Sequence, residues 1–175
     1  IFLNHFAKKK IIDLSGNMKN INTVIPHGLN KRFIQKSRKC LPIDIYSKSN
    51  PFKLIYVSDL EPYKHHANVV SAISLVRKQT GWPLELNLVG RPRYKPSYKI
   101  LKNSIKKHDP SLSWINFFEN IEYENLDALY NDIDLGIFAS SCENFPNIIL
   151  EYIGCSFPFI SSNYEPMPSI TKNLV

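Results

Sequence analysis

Two glutamates in the last quarter of the sequence, Glu143 and Glu151, are spaced for chemistry on an extended polar ligand. Glu143 precedes a predicted helix and Glu151 lies inside it, so the helical rise between them is roughly 12 Å. Two carboxyl groups that act together on one glycosidic bond stand about 5–9.5 Å apart. The spacing therefore favours a ligand held at two points, such as a nucleotide-sugar gripped at its sugar and at its ribose. In isolation, such a pair is more commonly a helix-capping residue and a solvent-exposed one.

A lysine and a glycine–arginine pair follow two of the predicted strands and are candidates for phosphate binding. Lys64 lies where a helix is predicted to begin, and free N–H groups at a helix N-terminus already favour an anion. Gly90 permits a ligand to approach the backbone closely, and Arg91 can reach phosphate or sugar. Each feature also has a plain structural interpretation, an exposed lysine and a turn glycine, so neither decides the function alone.

The elements that must position these residues alternate between strand and helix. Lys53–Ser58 is a short apolar run typical of a strand buried on both faces. From Lys64 to Gln79 apolar residues recur at helical spacing, and Gly81 ends the segment. The alternation continues with strands predicted over Leu84–Val89, Trp114–Phe118, Asp134–Ala139 and Phe157–Ser161, and helices over Ser97–Lys107, Asn125–Tyr130 and Asn147–Ile153. This order predicts an α/β fold, a Rossmann-like parallel sheet flanked by helices, with ligands beyond the carboxyl ends of the strands.

Composition narrows the class of protein. With 175 residues, of which 43% are hydrophobic and 21% charged, the chain is typical of a globular protein and not of a disordered one. No apolar run approaches the ~18–20 residues of a membrane-spanning helix. Cys40, Cys142 and Cys155 show no CxxC spacing, which disfavours a disulfide framework or a zinc site and favours a cytoplasmic location. The net charge of +7 favours anionic partners, whether nucleotides, nucleic acid or membrane head groups.

The two glutamates have the E-x7-E spacing of retaining glycosyltransferases with the GT-B fold, and their surroundings resemble glycosyltransferase family 4. Besides the glutamates, the resemblance is carried by Val24–Gly28 with Phe33, by Tyr56–Lys64, by Leu129–Ser140 and by Asn163–Pro168. Each segment is only moderately specific, but all of them occur in the correct order on an independently predicted Rossmann alternation. The resemblance implies a C-terminal nucleotide-sugar-binding domain, one half of a two-domain GT-B architecture.

The resemblance also implies a role for each candidate residue. Glu143 contacts the transferred sugar near the reacting carbon, and Lys64 neutralises charge on the leaving diphosphate, so these two are the expected catalytic residues. Glu151 binds the ribose hydroxyls, and backbone N–H groups from Phe145 to Asn147 cradle the sugar or a phosphate. The expected donor-binding residues are Ser58, Gly90, Arg91, Asn144, Phe145, Asn147 and Glu151. No metal ion or other cofactor is expected, because Lys64 supplies positive charge.

By this resemblance the chain divides into three parts. Residues 1–23 correspond to a remnant of an N-terminal acceptor domain, residues 24–52 to an interdomain linker, and residues 53–175 to a donor-binding domain that is incomplete at its C-terminus. Since a GT-B active site lies between two domains, residues 1–175 are expected to bind a donor without turning it over. The expected partners are a nucleotide-sugar donor and, through the missing domain, a glycan, lipid-linked or polysaccharide acceptor, with no nucleic acid. Peripheral contact with the inner face of a membrane is left open.

The sequence also departs from the family pattern. Asp59 stands where many relatives carry arginine, and Glu119 and Ser156 stand where glycine is usual. These departures put the donor base and the strength of phosphate binding in question, and Arg91 is a candidate replacement for the arginine. Two other functions stay open, a GT-B-type epimerase of sugar nucleotides and a basic nucleic-acid-binding module. The sequence does not specify the donor sugar, its base, the acceptor or the linkage formed.

Overall fold

A computed structural model of the chain describes residues 1–16, 22–36 and 41–171. Its strands form one parallel sheet with the order β3-β2-β1-β4-β5. The strands are β1 (Phe52–Val57), β2 (Leu84–Val89), β3 (Ile115–Phe118), β4 (Leu135–Phe138) and β5 (Phe159–Ser161). The helices are α1 (His5–Ser15), α2 (His66–Thr80), α3 (Lys95–His108), α4 (Leu126–Tyr130), α5 (Asn147–Gly154) and α6 (Met167–Thr171). The predicted Rossmann-like α/β fold is confirmed.

The strand order reverses at β1, and this reversal decides where a ligand can enter. Leu54 of β1 pairs with Leu86 of β2 on one side and with Leu135 of β4 on the other. The chain therefore leaves β1 and β4 in opposite directions, which opens a crevice beyond their carboxyl ends. The loops after β1, β2 and β4 border this crevice, as the sequence predicts.

Alternate residues of β1 enter two separate apolar cores, one on each face of the sheet. Leu54 and Tyr56 pack with the residues that α2 and α3 contribute, whereas Ile55 and Val57 pack with those of α4 and α5. Because both faces of the central strand are covered, its side chains are buried without a polar alternation. Packing on both faces holds the ends of the strands in place, and with them the start of each loop that follows.

Residues 24–52, interpreted from the sequence as a linker, are mostly exposed where the structure describes them but contact the sheet domain at a few points. Phe33 is fully buried, and the Gln35 N–H donates to the Gly154 carbonyl at 2.9 Å. A Cβ atom at Gly154 would lie 2.7 Å from the Phe33 carbonyl oxygen, so only glycine permits this contact. Farther along, the Tyr46 hydroxyl donates to the Asp134 carboxylate at 2.6 Å. The segment is therefore anchored at Phe33–Gln35 and at Tyr46.

The first residues of the chain lie beside the same segment. Phe2 forms an isolated parallel bridge with Val24, and α1 begins after Asn4, whose side chain accepts the Ala7 N–H at 2.6 Å. The first residues are thus joined to residue 24 by one bridge, and the division of the chain at residue 23 stays a prediction.

Candidate functional site

A cavity of about 590 Å³ lies at the carboxyl ends of β1, β2 and β4. It contains both expected catalytic residues, Lys64 and Glu143. Of the expected donor-binding residues, it is lined by Ser58, Gly90, Arg91, Phe145 and Asn147. Asn144 and Glu151 do not line it. The structure therefore brings most of the predicted residues to one place.

The centre of the cavity wall is an ion pair between Lys64 and Glu143. Both side chains are largely shielded, at 13% and 12% exposure. The Lys64 ammonium also lies 5.2 Å from the centre of the Phe138 ring, within reach of a cation–π contact. The Lys64 carbonyl accepts the Tyr56 hydroxyl at 2.7 Å, which fixes the backbone beneath the side chain. A cation and a carboxylate are thus held side by side, the first suited to phosphate and the second to sugar hydroxyls.

The helix predicted to start at Lys64 begins two residues later. Pro62–Lys64 form one turn of 3-10 helix, and His65 follows with a left-handed backbone, φ 57°, before α2 starts at His66. This kink turns the Lys64 side chain into the cavity instead of leaving it in the first turn of α2. The expectation of a lysine aligned with the helix dipole is therefore modified.

The loop after β1 and the loop after β4 are bound into one unit. The Ser141 N–H donates to the Tyr63 carbonyl at 2.9 Å, and the Ser141 hydroxyl shares a hydrogen bond with the His65 ring at 2.8 Å. Together with the Lys64–Glu143 pair, these contacts give the two loops three connections within a few residues. The sequence did not predict this connection between the loops, because Ser141 and His65 are not part of a motif with a recognisable spacing.

Ser58 and Gly90 form the closest contact between β1 and β2 at the cavity floor. The Ser58 hydroxyl shares a hydrogen bond with the His66 ring at 3.0 Å, and both residues are buried. Burial lowers the pKa of His66 to about 4, so the ring is neutral at physiological pH. A Cβ atom on Gly90 would lie 1.8 Å from the Ser58 carbonyl oxygen, which no side chain tolerates. Gly90 is therefore required by packing as well as by any ligand.

Asp59 holds two arginines at the rim of the cavity. Arg91 donates to its carboxylate from Nε at 3.2 Å and from Nη2 at 3.3 Å, and Arg93 donates from Nε. Burial alone raises the pKa of Asp59, but these hydrogen bonds outweigh it and lower the pKa below its ordinary value. These two ion pairs leave one net positive charge among the three residues, and Glu61, Glu119 and Glu122 also line the cavity. Arg91 thus lies beside Asp59, the residue that stands where the family pattern has arginine, and its role as a replacement stays a prediction.

Glu151 is buried behind the cavity and does not face open solvent. It is 2% exposed, and its carboxylate accepts the Tyr130 hydroxyl at 2.9 Å. Burial raises the pKa of Glu151, while hydrogen bonds from Tyr130 and Tyr123 and the charge of Arg32 oppose the rise only in part. Tyr123 itself lines the cavity. The ring of Tyr123 therefore belongs both to the cavity wall and to the surroundings of Glu151.

The segment between Glu143 and α5 is held from outside the sheet. Asn4 donates from its side chain to the Asn144 carbonyl, and the His27 ring packs edge-on against Phe145 with centroids 5.5 Å apart. Helix α5 begins at Asn147 as predicted, with Pro146 before it and no side-chain cap. Residues from the first part of the chain thus shape the loop that carries Glu143.

Arg32 is a residue of the site region that the sequence did not single out. Its guanidinium lies 4.1 Å from the centre of the Tyr123 ring and 5.0 Å from that of Phe33. Two of its nitrogens, Nε and Nη2, are buried and have no hydrogen-bond partner within the described part of the chain. In the sequence, Arg32 directly precedes Phe33, which the resemblance had placed in the linker. That neighbouring position is the feature of the sequence that could have pointed to Arg32.

Residues 1–16, 22–36 and 41–171 contain no group of three or more His, Cys, Asp or Glu side chains placed to hold a metal ion. Over the same ranges no helix is both long enough and apolar enough to cross a membrane.

Similarity to known proteins defines the class of protein to which the chain belongs. Residues 42–175 match the family described as glycosyl transferases, group 1. The chain belongs to this family, and its sheet and helices have the architecture of one half of a GT-B glycosyltransferase.

Individual relatives are distant in sequence and near in fold. The O-antigen chain mannosyltransferase B of Escherichia coli is 23% identical over 135 residues, which are 75% of this chain and 34% of that protein. Anabaena HepE, solved with UDP and glucose, is 20% identical with a TM-score of 0.74, over 97% of this chain and 46% of the other. An E. coli trehalose-6-phosphate protein bound with UDP-2-fluoro glucose is 11% identical with a TM-score of 0.76, over 96% and 46%. The chain thus spans between a third and a half of each relative.

Proposed function

We propose that this chain is the donor-binding half of a retaining, family 4-like glycosyltransferase, which transfers a hexose from a nucleotide diphosphate sugar to a glycan, lipid or polysaccharide acceptor. The observation that carries the proposal is the meeting of Lys64 and Glu143 in the wall of one cavity at the switch point of the sheet. In open α/β sheets this is where ligands bind.

Lys64 stabilises the leaving diphosphate in this mechanism. As the bond from the anomeric carbon to the diphosphate oxygen breaks, negative charge collects on the phosphate, and a fixed ammonium group is most effective where charge develops. Arg91 and Arg93, held by Asp59 at the rim, add positive charge on the side of β2. The three cations take the place that a divalent metal has in other phosphate sites, so no metal is needed.

Glu143 binds the sugar that is transferred. Its carboxylate lies beside Lys64, so a donor whose diphosphate contacts the lysine places its hexose next to the glutamate. A carboxylate that accepts hydroxyl groups in a shielded site discriminates strongly, because a missing partner leaves the charge unsatisfied. Phe145 and Asn147 line the same cavity, and their backbone N–H groups suit a sugar or phosphate oxygen, whereas Pro146 between them has no N–H to donate.

Glu151 binds the ribose once Tyr123 has moved. In this structure the carboxylate is shielded by Tyr130 and Tyr123, and a ribose can reach it only when the Tyr123 side chain turns aside. Two ribose hydroxyls then replace the tyrosine as hydrogen-bond donors. The role of Glu151 is thus linked to a side-chain movement at the cavity wall.

The relatives support a sugar-nucleotide donor. One is described as a mannosyltransferase, and the others were solved with UDP and glucose or with UDP-2-fluoro glucose. The chain spans 34% of the first relative and 46% of the other two. Binding of the acceptor is therefore also part of this proposal, and we assign it to the N-terminal acceptor domain.

The configuration of the product tests the proposal. A full-length protein supplied with an α-configured nucleotide-hexose should release nucleoside diphosphate and form an α-linked product, identified by the anomeric coupling constant in NMR. A β-linked product contradicts retention. Recovery of an epimerised sugar without an acceptor product contradicts transfer altogether.

A further inference from the structure

The positive charge of the chain is concentrated in one segment, residues 91–108. These residues include seven Lys and Arg and no Asp or Glu. The whole chain has 22 basic and 15 acidic residues, so the rest of the sequence carries fifteen of each and sums to zero. The net charge of +7 is thus a local property, and charge localised in this way produces a directed field that attracts an anionic surface.

Four of the seven basic residues form a stripe along α3. Lys95, Lys99, Lys102 and Lys106 follow one another at spacings of four, three and four, which places them on one side of the helix over about 16 Å. All four are exposed, and no salt bridge found among the described residues involves them. The stripe is therefore a row of positive charge without a salt bridge, although the carboxylate of Glu119 lies close enough to Lys102 to act on it.

An apolar groove of about 540 Å³ runs between this stripe and the edge strand β3. Lys102 and Lys106 form one side of it, and Leu112 and Phe118, which are 67% and 38% exposed, stand on the other. Asp109 also lines the groove but is 1% exposed, and its carboxylate accepts three backbone N–H groups at 2.8–2.9 Å. This acid does not offset the lysines, so the groove presents apolar and basic groups together.

We propose that this lysine face, formed by the α3 stripe with Leu112 and Phe118, docks on an anionic lipid bilayer. Lysines beside exposed apolar side chains have the two properties that interfacial binding requires, attraction to acidic head groups and burial of apolar surface at the acyl boundary. A nucleic-acid duplex would engage the lysines and leave the apolar groove unused. Single-stranded nucleic acid needs several accessible rings for stacking, and of the two rings in the groove Phe118 is exposed while Phe117 is partly buried against the core.

The lysine face adjoins the donor cavity. Arg91 and Arg93 belong to the same basic segment and line the cavity, and Tyr98 of α3 donates to Glu119, which also lines it. Docking therefore brings the cavity close to the bilayer, where an acceptor with a lipid anchor is found. This consequence rests on the proposed function, whereas the docking itself does not.

Vesicle co-sedimentation of the 175-residue chain tests the proposal. Binding should be strong to vesicles of phosphatidylcholine with phosphatidylglycerol, weak to phosphatidylcholine alone, and lost at high salt. Changing Lys95, Lys99, Lys102 and Lys106 together to Gln should weaken binding by about a hundredfold or more, because each lysine near the surface contributes about 1 kcal/mol. The matched control changes four exposed lysines elsewhere to Gln, Lys9, Lys10, Lys48 and Lys78, and should keep most of the binding.

A second variant tests the apolar part of the lysine face. Leu112 has a left-handed backbone with φ 51°, which Asn adopts readily, so Leu112→Asn removes the apolar tip without straining the loop. It should weaken vesicle binding several-fold, and unchanged binding overturns the assigned role of the groove. Equal loss in the stripe and control variants overturns the proposal, as does tighter stripe-dependent binding to a DNA oligonucleotide than to anionic vesicles. Nucleoside diphosphate affinity, measured in parallel, stays unchanged if only the docking proposal fails.

Discussion

Lys64 and Glu143 form an ion pair although 79 residues separate them in the chain. The pair joins the loop after β1 to the loop after β4, and both side chains are nearly buried. Removing one partner leaves the other charge poorly compensated, so the pair holds the two loops together, and in the proposed function it also supplies the chemistry. A diphosphate that reaches Lys64 competes with Glu143 for the ammonium and frees the carboxylate for the sugar.

Replacing Glu143 with Gln should lower transfer by the full-length enzyme by about a hundredfold or more, while donor binding persists. The amide keeps the shape of the side chain but lacks the negative charge that faces the reacting sugar. Initial rates at saturating donor measure the effect. Glu124→Gln removes an exposed carboxylate that does not line the cavity and serves as the control. Turnover unchanged by Glu143→Gln would falsify the catalytic role of this residue.

Gly90→Ala should destabilise the fold by about 1–3 kcal/mol, because the new methyl group would overlap the Ser58 carbonyl and force β1 and β2 apart. Urea denaturation measures the loss. Gly28→Ala is the matched control, since nothing lies within 4 Å of its added Cβ. Equal stability of the two variants contradicts the close contact between Ser58 and Gly90.

Acid should destabilise the protein through His66. Burial holds the pKa of His66 at about 4, below its ordinary value of 6.5, so the unfolded chain takes up a proton before the folded one does. The contribution of His66 is fully present above pH 6.5 and is lost as the pH falls towards 4, by about 3 kcal/mol in total. Free energies of unfolding across this range should fall less steeply for His66→Gln. Parallel curves for the two proteins contradict the prediction.

Glu151→Gln should show the opposite pH dependence. Burial raises the pKa of Glu151 above 4.5, so its contribution to stability is fully present below that pH and is lost as the pH rises through the folded-state pKa. The Gln variant should therefore gain stability over the wild type as the pH rises from 4.5 through the folded-state pKa, and should bind the nucleoside diphosphate more weakly. Unfolding curves at acid and alkaline pH test the first part and calorimetry the second. A stability difference that does not change with pH speaks against an ionised, buried carboxylate.

Much of the fold followed from the sequence, because burial on both faces gives continuous apolar runs. Leu84–Val89 forms β2 with the predicted bounds, and α5 starts at the predicted Asn147. The third strand begins at Ile115, one residue after the predicted Trp114, whose N–H donates to the Asp109 carboxylate at 2.9 Å and not to a neighbouring strand. That displacement depends on a side-chain contact across five residues, which apolar patterning does not reveal.

The candidate site was predictable in its positions and less so in its contacts. The family-like spacing identified Lys64 and Glu143 but not their direct pairing, since that depends on how β1 and β4 lie next to each other. The tyrosines around Glu151 were not predicted as its partners for the same reason. Ser156, where relatives have glycine, has a left-handed backbone with φ 57°. The departure of Ser156 from the family pattern thus falls at a position whose backbone conformation favours glycine.

Calorimetric titration of the 175-residue chain with UDP and with GDP, in the presence of a metal chelator, tests the central claim most directly. We expect saturable binding of at least one of them in the millimolar range or tighter. Lys64→Gln should weaken it by about tenfold or more, because a charge-assisted contact to phosphate contributes about 1.5–3 kcal/mol. Lys78→Gln, which removes an exposed lysine of α2 away from the cavity, should leave it unchanged. Absence of binding at millimolar concentrations, with circular dichroism showing an intact fold, contradicts the assignment of this domain to a nucleotide-sugar donor.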